Sequence, residues 1–134
     1  MKSKLSLLCL CLVLTGCNKT LKCKSIIDND SMKVEQSYVI RYEGNDIKDV
    51  KHKIVYDVYD NDLKNNFDMM IGFSKSNFDM YDINYDYEQD DNRYIIKANY
   101  SIDSISDEAF TNLIGTNNIN EFKTKYENVG FICK

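Results

Sequence analysis

Three kinds of residue in this 134-residue chain carry side chains capable of chemistry: one histidine, twenty-one carboxylates and ten tyrosines. A histidine acts as general base or metal ligand when a nucleophile or further ligands stand beside it. His52 instead falls in a row with Val50, Ile54, Tyr56 and Val58, where an imidazole is packed rather than catalytic, and no Ser or Cys nucleophile is recognisable next to it. The carboxylates gather as Asp57, Asp60 and Asp62, and again as Asp86, Glu88, Asp90 and Asp91. Either stretch offers oxygen to calcium, yet neither has the alternating acidic spacing, central glycine and distant glutamate of a calcium loop. Neither a metal, nor a cofactor, nor a catalytic residue is expected. Tyr81, Tyr85, Tyr87 and Tyr94, with Tyr59 and Tyr100, are the remaining candidates: tyrosines give large contact area at low entropy cost, so they suit a groove for a peptide or sugar. Their alternation equally places most of them in a core.

The N-terminal stretch says where such chemistry would take place. Lys2 and Lys4 precede an apolar run over residues 5–13, the layout of an export signal, and the run is too short for the roughly twenty apolar residues that cross a bilayer. It ends in Leu14, Thr15, Gly16 and Cys17, a tetrad that resembles the lipobox of bacterial lipoproteins. The resemblance implies cleavage after Gly16 and lipid on the Cys17 sulfur, so that residues 1–16 are a lipoprotein signal peptide. Residues 17–20 then form a lipidated tether, and 21–134 a single extracytoplasmic domain.

Five cysteines are present; Cys9 and Cys11 fall in the apolar run, and with Cys17 acylated only Cys23 and Cys133 remain. In an oxidising compartment two remaining thiols most simply form a disulfide; two free thiols or a metal pair are the alternatives, though the second lacks further ligands. From Cys17 to Cys23 the chain spans at most roughly 20 Å, which holds the domain close over the membrane. A disulfide would also gather Lys19, Lys22, Lys24 and Lys134 at the membrane-facing end, where anionic lipid attracts them. Losing Lys2 and Lys4 takes the formal charge from −4 to −6, and such an acidic body is a poor nucleic-acid partner.

The elements that position these residues are read from periodicity. Strands are predicted over residues 21–27, 32–42 and 50–58, joined by turn clusters at residues 28–31 and 44–46. Leu63, Phe67, Met70, Ile71, Ser74 and Phe78 recur at helical spacing behind an N-cap at Asp60 or Asn61. A hairpin follows, with Tyr81, Ile83, Tyr85 and Tyr87 on one face of its first strand and Tyr94, Ile96, Ala98 and Tyr100 on one face of its second. Ser106 and Asn117 or Asn118 open two short helices, and residues 131–134 return to the entry strand. The sum is an α+β domain: an antiparallel sheet of meander plus hairpin, a central helix on one face and two short C-terminal helices.

The lipobox, the Leu21-Lys22-Cys23 triplet, the strand pair, the central helix, the second hairpin and the closing Gly130-Phe131-Ile132-Cys133-Lys134 together resemble a family of small lipoproteins from low-GC Gram-positive bacteria, distantly similar to the YehR-like lipoproteins. That resemblance implies an exported α+β domain on a lipid anchor at the outer face of the cell membrane, and brings no catalytic residues with it. Two functions follow as expectations. The first is a non-enzymatic module binding a protein or envelope component; the second is a carrier of a small ligand or cation for a transporter, which needs a pocket of roughly 300 Å³ or more. A divergent hydrolase is a third and weaker reading.

Overall fold

The computed structural model describes residues 18–134; the signal segment and Cys17 lie outside the described residues. Chain order is β1 (Lys19–Asp28), β2 (Met32–Glu43), β3 (Asp46–Val58), α1 (Asn61–Met80), β4 (Asn84–Asp90), β5 (Arg93–Ser101), α2 (Asp107–Ile114), α3 (Ile119–Asn128) and β6 (Ile132–Cys133). The strands form one sheet in the order β4-β5-β3-β2-β1-β6, antiparallel at every pairing. This is an α+β architecture with a central helix and two short C-terminal helices.

Local chemistry sets the boundaries. The Asn29 side chain accepts from the Ser31 and Met32 amides and closes the first turn. Asp60 accepts from the Asp62 and Leu63 amides and caps α1, while Ser106 and Asn118 cap α2 and α3 in the same way. At the other end of α2, Gly115 takes φ +95°, a left-handed conformation that stops the helix.

Several boundaries differ from the periodic reading: β3 starts at Asp46, four residues before Val50, because Asp46 and Ile47 pair with Glu43 and Tyr42. Strand β1 starts at Lys19, two residues before Leu21, because Lys19 and Thr20 find partners in Tyr42 and Arg41. Helix α1 runs on to Met80, so Tyr81 is its C-cap and not a strand residue; Asp82, at φ 53°, then reverses the chain into β4.

The three helices of the described residues lie on one face of the sheet. Leu21, Cys23, Tyr38, Ile40, Val50 and Tyr100 meet Phe110, Ile114, Ile119 and Phe122 of α2 and α3 in the larger core. Phe67 and Ile71 of α1 pack on Val58, Tyr94 and Ile96 in a smaller one. Cys23 and Cys133 are directly opposed in the β1–β6 ladder and joined by a disulfide with an S–S distance of 2.03 Å, inside the larger core. Among the described residues no helix is long and apolar enough to cross a membrane.

Candidate functional site on the uncovered face of the sheet

The residues singled out from sequence fall mostly on the covered face. His52 is half-buried; its ring stacks on Tyr38 with centroids 4.0 Å apart, and its Nε2 lies 3.3 Å from Oε1 of Gln36. Burial pushes the imidazole pKa down to about 4, so it is neutral at physiological pH. Tyr38 is in turn surrounded by Phe122, Tyr126 and Phe131. This is an aromatic core with a histidine at its edge, and among the described residues the imidazole has Gln36 and Tyr38 as its polar and stacking neighbours.

The tyrosines do not assemble into a groove. Tyr94 is fully buried beneath Phe67, with its hydroxyl donating to Asp68 at 2.8 Å; burial and that carboxylate push its pKa up to about 12. Tyr85 leans on Phe78, and Tyr87 lies under the Lys75 ammonium at 3.9 Å. Helix α1 thus occupies the face these three share, while Tyr81 stands apart at its C-cap and Tyr59 donates to Asp28 in a loop. Three of the residues in the acidic stretches have partners: Asp60 caps α1, Asp57 pairs with Arg93, and Asp91 pairs with Lys64. Among the described residues no three His, Cys, Asp or Glu side chains converge as metal ligands.

Among the described residues no helix lies over the opposite face of the sheet. Strand register places its residues in rows that cross all six strands. One row runs Lys134, Lys22, Val39, Lys51, Asn99, Asn84; the next runs Ile132, Lys24, Ser37, Lys53, Lys97, Asp86. Six lysines therefore occupy two adjacent rows, all exposed and none in an ion pair among the described residues. Lys53 stands directly opposite Lys97, and Lys22 opposite Lys134, whose backbones exchange hydrogen bonds of 2.9 and 2.8 Å. Like charges so placed repel and cost stability.

Outside these rows the cations on the face are matched: Lys33 with Glu35 at 3.1 Å, Arg41 with Asp49 at 2.6 Å, Arg93 with Asp57 at 3.6 Å. The small side chains Ser37 and Val39 lower the floor between the lysines of β1 and those of β3. Three adjoining depressions follow the strip, of about 530 Å³ at Lys22, Lys24 and Lys134, 200 Å³ at Lys24 and Lys53, and 380 Å³ at Lys51, Lys53 and Lys97. All three open broadly to solvent.

Sequence reasoning grouped Lys22, Lys24 and Lys134 but missed their continuation through Lys51, Lys53 and Lys97; Lys19 alternates to the other face. A signal was present in the period-two lysine pairs 22/24 and 51/53, each opposite an apolar row. What it lacked was the adjacency of β3 to β5, two strands separated by a helix and a further strand.

No family model and no curated protein matches the chain. The fold is similar to that of a Streptococcus pneumoniae TIGR4 protein solved by NMR, with a TM-score of 0.53 over 87% of this chain and 85% of that one, at 8% identity. At such low identity the likeness is one of fold alone.

Proposed function

We propose that the chain is a lipid-anchored extracytoplasmic lipoprotein whose domain serves as a non-enzymatic binding module at the cell envelope, with the uncovered sheet face as its contact surface. The observation that carries this reading is the division of the sheet. Among the described residues every helix packs on one face, with the disulfide and His52 set in the core there, and the other face is left open with six lysines that make no ion pair. The motif at Cys17 supports the anchor, and a disulfide joining the first strand to the last fits an oxidising compartment. A carrier has less support, because the depressions along the strip are open troughs and a carried ligand needs most of its surface enclosed.

Two readouts test the proposal. Radiolabelled palmitate fed to bacteria making the chain is expected to enter the protein and to be lost in Cys17→Ser; equal labelling of both removes the anchor. A photo-crosslinker at Val39 is expected to give envelope adducts that one at Asn65, on the outer side of α1, does not. Adducts from Asn65 alone would move the contact surface to the helix layer.

A further inference from the structure

We infer that the lysine strip is a binding site for a linear polyanion with phosphate-type repeats, lying across the strands along the two lysine rows. The inference deepens the binding-module reading and rests on it for the choice of face.

The first argument is charge. The chain carries a net −4, yet its unpaired cations on this face are concentrated in two rows without an intervening carboxylate until Asp86 at the β4 edge. Two directly opposed lysine pairs, Lys53 with Lys97 and Lys22 with Lys134, repel until an anion sits between them. The second argument is shape. The lysines span the five strands from β6 to β5, which at 4.7–4.9 Å spacing make the strip roughly 19 Å long, and rows two residues apart make it roughly 7 Å wide. It is dished along its length by the depressions that share Lys24 and Lys53. That is the footprint of one extended chain.

A flat anionic bilayer fits less well. Beyond the strip a plane would meet the neutralised pairs of Glu35, Asp49 and Asp57 and the carboxylate Glu88, whereas a narrow chain along the rows passes six lysines before their first carboxylate, Asp86. Nucleic acid fits less well too, since neither row holds an aromatic side chain on which a base could stack.

The test is a titration of the full-length chain in neutral detergent with inorganic polyphosphate. Saturable binding is expected, falling by more than about a hundredfold between 50 and 200 mM salt, as six phosphate contacts to a single-stranded polyanion imply. Replacing Lys22, Lys51, Lys53 and Lys97 together by Gln is expected to weaken it more than tenfold with the circular dichroism spectrum unchanged. Lys123→Gln with Lys125→Gln, on α3, is expected to change it less than about twofold. Absence of binding, or equal loss in both variants, overturns the inference. So does tighter binding to phosphatidylglycerol vesicles or to single-stranded DNA than to polyphosphate. Palmitate labelling at Cys17 is read separately, so a failed anchor and a failed strip are distinguishable.

Discussion

The two faces of the sheet are made by the same strands and put to opposite uses, and β3 shows this most plainly. Val50, Tyr56 and Val58 point under the helices, while Lys51, Lys53 and Asp57 alternate with them on the open side. On the covered face each side chain is tied to several others, so a change there disturbs the fold. On the open face the central lysines have no ion-pair partner among the described residues, and their spacing is set by strand register. Stability and the proposed recognition are thereby separated by the pleat of one strand.

That separation is broken most strongly from the covered side. Replacing both Cys23 and Cys133 by serine opens a loop of 110 residues and is expected to cost about 4 to 5 kcal/mol in urea unfolding, by the chain-entropy account. Phe122→Ala, at a fully buried ring touching Tyr38 and Tyr126, is expected to cost about 3 to 5 kcal/mol in the same measurement.

His52 gives a pH-dependent version of the contrast. Its folded pKa of about 4 lies below the ordinary 6.5, so between these values the unfolded chain binds a proton that the folded chain does not. Stability is therefore full above about pH 6.5 and is lost as the pH falls toward 4, by up to about 3 kcal/mol. His52→Gln is expected to remove that part of the acid dependence, measured as the difference between the two unfolding profiles.

The smallest effect has the opposite sign. Lys53→Glu turns a repulsive cross-strand pair with Lys97 into an attractive one, its other cross-strand neighbour being Ser37, and is expected to raise stability by a few tenths to about 1 kcal/mol, while weakening polyphosphate binding. A substitution that stabilises the fold and harms binding is the signature of a surface kept for a ligand.

The covered face was largely legible in the sequence. Alternation over residues 32–42 and 50–58 and the helical spacing of Leu63, Phe67, Ile71 and Phe78 are local signals, and each marks an apolar face. Capping residues gave the helix starts for the same reason. Tyr81 was misread because its alternation with Ile83 continues the strand pattern; only the reversal at Asp82 separates them. The tyrosine groove failed on a non-local fact, the seating of Phe67 and Phe78 over Tyr94 and Tyr85. The lysine strip was hidden for a like reason. Its charges come from four separate strands, and a one-residue slip in any pairing would scatter them to the other face.

In the proposed reading ligand meets the open face while the helix layer holds the fold. Backbone amide shifts of the isotopically labelled full-length chain, followed as polyphosphate is added, test it directly. The account predicts shifts concentrated at Lys22, Lys24, Ser37, Lys51, Lys53 and Lys97. Shifts centred on α1, or on the tyrosines beneath it, would contradict it.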